Sequence, residues 1–115
     1  MITLATLPQA SAQEVFDQVK THLLTQNERS GTSRLCLYRG PNDTKCAAGC
    51  LMSDEEYDKD FEDKNWLRLT DEHNITNAHF HLIRTLQELH DESPVHEWET
   101  ELRFLAKKLN LEYND

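Results

Sequence analysis

The sequence has no long apolar run and few basic residues. No stretch approaches the length that crosses a membrane, and residues 1–8 lack the basic start and apolar core of an export signal. Lysine and arginine number 12, against 21 aspartate and glutamate residues, so the formal charge is −9. Direct binding of nucleic acid needs a surplus of basic side chains. We therefore expect a cytoplasmic protein that contacts neither a membrane nor nucleic acid directly.

Cysteine is also scarce, and its number is odd. Cys36, Cys46 and Cys50 are the three in the sequence. Without an export signal the thiols are expected to stay reduced, and an odd count leaves one thiol over in any disulfide scheme. A framework of disulfides is therefore not predicted.

Helical periodicity at the start of the chain predicts a first helix. Ser11 and Glu14 match a capping box, in which each side chain accepts a hydrogen bond from an exposed backbone amide. An apolar stripe follows at helical spacing: Val15, Phe16, Val19 and Leu23. The helix is expected to end near residues 27–29. A second capping box, Ser53 with Glu56, predicts a short helix over 54–60.

The last third of the chain predicts an antiparallel pair of helices. Asn74 suits the start of a helix that runs to about His90, and Ser93 with Pro94 suits the start of the last one. The link between them is short, which favours antiparallel packing. The expected inner faces carry Ile75, His79, Leu82, Leu86 and Leu89, then Val95, Trp98, Leu102, Leu105 and Leu109. The loop before the pair is expected to be pinned to the core by Trp66, Leu67 and Leu69.

A β-hairpin is predicted over residues 34–52. Residues 34–39 alternate as a short strand does, Gly40 and Pro41 begin a turn, and residues 44–52 return as a second extended piece. Gly49 indicates a bulge or a close approach of two backbone segments. The predicted fold is therefore α+β: one mainly helical domain over residues 1–115, with about four helices and one small antiparallel hairpin.

The three cysteines suggest two chemistries. Cys46 and Cys50 have a spacing that zinc sites use, Cys36 lies across the predicted hairpin, and a histidine such as His90 could complete the set. A cysteine nucleophile would instead pair Cys46 or Cys50 with His90 and Asp91. However, the sequence lacks a second close ligand pair, and free cysteine usually packs as a small apolar residue. Packing is the favoured interpretation. A zinc-stapled module and a small cysteine-dependent enzyme are the alternatives, and no other cofactor is predicted.

The hairpin also concentrates groups suited to an anion. Tyr38, Arg39 and Lys45 place an aromatic ring and two cations around the turn, and Gly49 would let backbone amides approach a ligand. With two residues of the following helical pair, the predicted binding set is Tyr38, Arg39, Lys45, Gly49, Gln87 and His90. The alternative is that Arg39 and Lys45 pair with the seven acids of residues 54–63. That acidic run is ordinarily a solvated surface, although an acidic nucleic-acid mimic is a further alternative.

Several of these motifs together resemble a group of short, largely uncharacterised proteins of bacteriophages and some bacteria. The likeness lies in Cys36-Leu-Tyr-Arg39, in Lys45-Cys-Ala-Ala-Gly-Cys-Leu51, and in Leu86-Gln-x-x-His-Asp91 followed by Trp98. The resemblance implies a phage accessory protein, made in the host cytoplasm, that acts against host defence or another host factor. The leading prediction is a non-enzymatic binding protein that sequesters a host protein or a small anionic, nucleotide-like ligand. A homo-oligomer is an open alternative, because an apolar stripe serves a dimer seam as well as a core.

Overall fold

The described chain contains four α-helices. The computed structural model describes residues 1–32 and 35–114. The helices are α1 (Ala12–Gln26), α2 (Trp66–Glu72), α3 (Phe80–Glu92) and α4 (Trp98–Lys108). Single 3-10 turns lie at Leu7–Gln9, Pro41–Asp43, Gly49–Leu51, Lys59–Phe61 and Val95–Glu97. Within the described ranges, no helix combines the length and the apolar character that crossing a membrane requires.

One apolar core joins these helices. Helix α1 packs against α3 and α4, α3 also contacts α2 and α4, and the Gly49–Leu51 turn packs on α1. The fully buried large side chains come from every helix and from the loops: Leu7, Phe16, Leu23, Leu51, Trp66, Leu69, Ile83, Leu86, Trp98 and Leu102. The segment between α1 and α2 is therefore part of the domain core, although it contains no long helix.

The first helix begins and ends much as its sequence predicts. The Ser11 side chain accepts from the Glu14 amide at 3.1 Å, and the Glu14 carboxylate accepts from the Ser11 amide at 2.8 Å. Asn27 follows the last turn with a left-handed backbone, φ 50°, and its amide donates to the Leu23 carbonyl. Both the capping box and the predicted end near residues 27–29 are confirmed.

The helical pair is confirmed, with a shifted start for α3. The helix begins at Phe80 rather than near Asn74, because His79 adopts a left-handed conformation, φ 57°. Its buried positions are Ile83, Leu86, Leu89 and His90. In α4 the buried positions are Trp98, Leu102, Leu105 and Ala106. Leu109, placed on the predicted stripe, follows the helix end and is exposed.

The predicted hairpin, and with it the α+β class, is wrong. The described residues of 35–52 form no strand, and two isolated bridges, Gly31 with Cys36 and Gly40 with Thr44, are the only antiparallel pairings there. Several backbone groups of this segment bind side chains instead of a partner strand: the amides of Tyr38 and Arg39 donate to Glu62, and the Lys45 amide donates to Gln26. Arg34, at the predicted start of the first strand, lies outside the described residues. The described chain is a helical domain.

Two further expectations between the hairpin region and α3 are corrected. The Ser53–Glu56 capping box forms, but the chain turns at Asp58, whose extended backbone and side chain begin a 3-10 turn, so no α-helix covers 54–60. Residues expected to form a loop instead build α2, capped by Asn65 through the Arg68 amide. Trp66 and Leu69 are buried as predicted, whereas Leu67 is exposed.

Candidate functional site

A cavity of about 340 Å³ lies where the connecting loops meet α3. Small-molecule sites in proteins begin at about this size. Its lining comes from the loop after α1, the three residues before α2 and the second half of α3: Thr32, Leu35, Cys36, Tyr38, Asp63, Lys64, Asn65, Gln87 and Asp91. Since most of these side chains are polar or charged, the cavity is suited to a polar ligand.

One side of α3 carries three polar residues next to this cavity. Gln87, His90 and Asp91 are spaced three and four residues apart, so they share a side of the helix. We call these three residues the α3 polar face. Each contacts the chain between α1 and α2, and together they attach that segment to the helix.

His90 is fully buried, and its ring has a defined proton position. The Ser30 amide donates to Nε2 at 3.1 Å, and Nδ1 lies 2.8 Å from Asp91 Oδ1. Because an amide hydrogen requires a lone pair on Nε2, the proton of the neutral ring is on Nδ1 and is donated to Asp91. The ring also packs on Trp98, with centroids 5.4 Å apart.

The charges of this pair depend on opposing effects. For Asp91, burial is the largest single effect and raises the pKa, but the hydrogen bonds with His90, Cys36 and Gln87 together hold the pKa below its ordinary value. For His90, burial is the largest single effect and lowers the pKa, but the hydrogen bonds and charges of Asp91 and Cys36 together raise it above its ordinary value. A second ring proton would however lie on Nε2, against the Ser30 amide hydrogen. The contacts therefore describe an ionised Asp91 beside a neutral His90.

Gln87 links two loop positions to α3. Its Oε1 accepts from the Ala48 amide at 2.9 Å, and its Nε2 donates to Asp91 Oδ1 at 2.8 Å and to Cys36 Sγ at 2.9 Å. The donors and acceptors of the Gln87 amide are thus used within the protein. Two of the predicted binding residues, Gln87 and His90, lie side by side as a structural attachment.

The thiols are shielded rather than activated. A hydrogen bond with Cys46, together with burial, raises the pKa of Cys36 far above its ordinary value. Burial raises the pKa of Cys50 to about 12, and the Cys50 thiol donates to the Ala47 carbonyl. Cys46 is fully buried and accepts from the Gly49 amide. Nucleophilic cysteines act as thiolates, so these environments disfavour catalysis.

The arrangement around His90 also lacks the geometry of a catalytic triad. In a triad, one ring nitrogen faces the nucleophile and the other faces the orienting carboxylate. Here Cys36 Sγ and Asp91 Oδ1 both face Nδ1, at 3.8 and 2.8 Å, while Nε2 faces the Ser30 amide. The ring has no free nitrogen with which to remove a proton from the Cys36 thiol.

A metal ion is the other chemistry that this cluster suggests. Cys36, His90 and Asp91 each offer an atom within 4.8 Å of the others, and they are the one such group among the described residues. A metal bound at Nδ1 requires the ring proton to move to Nε2. That proton would oppose the Ser30 amide hydrogen, and the 3.1 Å hydrogen bond would be lost. The geometry therefore disfavours a metal at Nδ1 of His90, and the zinc alternative predicted on Cys36, Cys46 and Cys50 stays a prediction.

Arg39, the centre of the predicted anion site, is committed to the protein backbone. Its guanidinium donates to the carbonyls of Tyr38, Gly49 and Met52, at 3.2, 2.8 and 3.0 Å. The same group pairs with Asp54, which is one of the acids after Ser53. For Arg39, the alternative interpretation of a pairing with that acidic run agrees with the structure.

The remaining predicted residues do not share one ligand site. Tyr38 is buried and its hydroxyl donates to the Lys64 carbonyl at 2.6 Å, so it lines the cavity from a fixed position. Lys45 lines a separate groove beside α1, with His22 among its neighbours. Gly49 serves close packing, because a Cβ there would lie 2.5 Å from the Tyr38 carbonyl oxygen. The structure does not bring Tyr38, Arg39 and Lys45 to one ligand site.

Several cavity residues were not among the predicted binding residues. Asp63, Lys64 and Asn65 come from the segment expected to be only a loop, and Thr32 comes from the loop after α1. The sequence predicts a role for Asp91 only beside His90, as a partner of a cysteine nucleophile. A signal for it was present, since Gln87, His90 and Asp91 are polar positions on one helix side next to an apolar stripe.

Comparison of the chain with protein-family models, with curated proteins and with solved structures finds no match. The interpretation of the site therefore depends on its geometry.

Proposed function

We propose that this protein acts by stoichiometric binding, without turnover, and that its partner is a protein with a basic surface. The observation that carries the proposal is the α3 polar face: its side chains, and the Cys36 thiol beside them, are closed into a structural network next to an open cavity. The site offers a ligand space and a fixed charge, and no activated nucleophile.

Charge favours a basic partner over an anionic ligand. The chain carries a formal charge of −9, and the cavity presents the ionised Asp91 together with Asp63. Complementary charge increases the rate of association and excludes unsuitable partners. The predicted anionic ligand would need free cations, and the guanidinium of Arg39 is occupied by backbone carbonyls.

The resemblance to phage proteins suggests where the partner comes from. An accessory protein made in an infected bacterium would meet host proteins, so the partner is proposed to be a host factor, with defence proteins as the first candidates. The protein would then sequester that factor by occupying its basic surface.

The test begins with capture of partners from host lysate and continues with the purified partner. Native mass spectrometry should show a complex of fixed ratio, and its affinity should fall as ionic strength rises. Treatment with a thiol-alkylating reagent under native conditions should leave binding intact. Turnover of a substrate that is lost in Cys36→Ser would contradict the proposal, as would a partner whose binding does not respond to salt.

A further inference from the structure

We propose that the cavity beside the α3 polar face is a guanidinium site, which receives an arginine side chain of the partner. This inference rests on the proposed function and names the group that the partner presents. It is carried by the joint placement of Asp91, Asp63 and Tyr38 around one cavity.

Asp91 supplies the inner charge of the site. Its side chain is 35% exposed, so it is partly withdrawn from solvent yet reachable from the cavity. Oδ1 accepts from His90 and Gln87. A carboxylate has about four lone-pair positions, so acceptor capacity remains for a cation. The network that holds Asp91 also fixes its orientation, which lowers the entropy lost when a ligand binds.

Asp63 supplies a second carboxylate at the rim. It is exposed, and its left-handed backbone, φ 66°, places it just before α2. The neighbouring cation, Lys64, also lines the cavity, but its ammonium is bound by the Asp60 carbonyl and by His73 Nε2, so the lining carries two acids against one committed cation. The two acids therefore favour a cationic ligand over an anionic one.

The rest of the lining favours arginine over lysine. Leu35 and the small accessible part of Tyr38 add apolar and aromatic surface, and Asn65 adds an amide. A guanidinium is planar, is weakly hydrated, packs on aromatic rings and bridges two carboxylates through its five N–H donors. An ammonium is a strongly hydrated point charge that uses such surface less well.

The experiment measures binding of N-acetyl-arginine amide to the full chain by NMR titration, with N-acetyl-lysine amide and a nucleoside monophosphate as comparison ligands. Arginine amide should shift resonances of residues around the cavity and bind more tightly than both. Asp63→Asn should weaken arginine binding about two- to fivefold, which matches the loss of one exposed ion pair. Asn suits this position because it tolerates a left-handed backbone.

Glu101→Gln is the matched control, since it makes the same charge change on α4, away from the cavity lining. Equal weakening by the two variants would overturn the inference, because it would reflect net charge alone. Tighter binding of the nucleotide than of arginine amide would also overturn it. If a captured partner binds Asp63→Asn and unaltered protein equally well, the guanidinium site fails while the proposed function stands. If no partner is captured but arginine amide binds as described, the proposed function fails while the guanidinium site stands.

Discussion

The helical frame and the connecting segment are held by different forces. The frame consists of α1, α3 and α4, whose buried side chains are almost all apolar and recur at helical spacing. The connecting segment, the described part of residues 28–65, contains three single 3-10 turns and two isolated bridges. Its backbone amides and carbonyls are bound by side chains from within the segment and from the frame.

Three side chains show how the connecting segment is held. Arg39 donates to three carbonyls, Glu62 accepts from two consecutive amides, and His90 accepts from the Ser30 amide. Buried backbone groups need partners whether or not a strand provides them. Charged side chains can therefore replace the ladder of a β-sheet in a short irregular segment.

The frame should be the more sensitive region to loss of volume. Leu86 is 0% exposed on α3, so Leu86→Ala removes buried methyl groups and leaves a cavity. We expect the free energy of unfolding to fall by about 2–5 kcal/mol in urea denaturation. Leu67→Ala, at a leucine that is 56% exposed, is the control and should change it by less than about 0.5 kcal/mol. Similar small losses in both variants would contradict the assignment of the core.

The connecting segment should be the more sensitive region to loss of charged donors. The side chain of Arg39 is 17% exposed, and Arg39→Met would leave three carbonyls without their donor. We expect a loss of about 2–3 kcal/mol in the same measurement. Arg84→Met removes an exposed arginine that pairs with Glu88 on α3, and should cost less than about 0.5 kcal/mol. Equal costs would show that Arg39 is an ordinary surface residue.

The connecting segment should also be sensitive to loss of a hydrogen-bond acceptor, Glu62. Its carboxylate accepts from the amides of Tyr38 and Arg39 and from the Tyr57 hydroxyl. Glu62→Gln keeps the shape but replaces one oxygen by a donor, so we expect a loss of about 1–2 kcal/mol. Glu55→Gln, at an exposed acid of the same run, should be close to neutral. A neutral Glu62→Gln would mean that the two amides find other acceptors.

The smallest expected effect concerns pH and the attachment of the N-terminal residues. Burial raises the pKa of Glu56, but hydrogen bonds from the amides of Ser53, Leu4 and Ala5 outweigh burial and set it below its ordinary value of 4.5. The ionised Glu56 therefore stabilises the folded protein at pH values above its ordinary pKa. This stabilisation is lost as the pH falls through the lowered pKa.

The measurement compares unaltered protein with Glu56→Gln by urea denaturation across this range of pH. The difference between their free energies of unfolding should shrink as the solution is acidified below pH 4.5. A difference that does not change with pH would contradict the role given to the carboxylate.

The frame could be predicted from the sequence because its signals are local. The Ser11–Glu14 capping box marks the start of α1. The apolar residues of α1 and α4 recur at helical spacing, and the buried positions follow that spacing. The start of α3 could not be placed, since nothing in the sequence indicates the left-handed backbone of His79.

The connecting segment could not be predicted because its partners are distant in sequence. The Ser30 amide meets His90 across 60 residues, and the Ala48 amide meets Gln87 across 39. Alternating residues and turn chemistry are typical of a hairpin, yet the side chains that bind the backbone of this segment come from Glu62, from Gln26 of α1 and from Gln87 of α3. The cavity was missed for the same reason, because its lining joins three separate parts of the chain.

The protonation of His90 tests the central claim most directly. Long-range ¹H–¹⁵N correlation on the full chain reports which ring nitrogen carries the proton. If α3 holds the connecting segment through a closed network, Nδ1 is protonated, Nε2 is an unprotonated acceptor, and an equivalent of zinc leaves both resonances unchanged. A proton on Nε2, or a shift of Nδ1 on addition of zinc, would contradict the account.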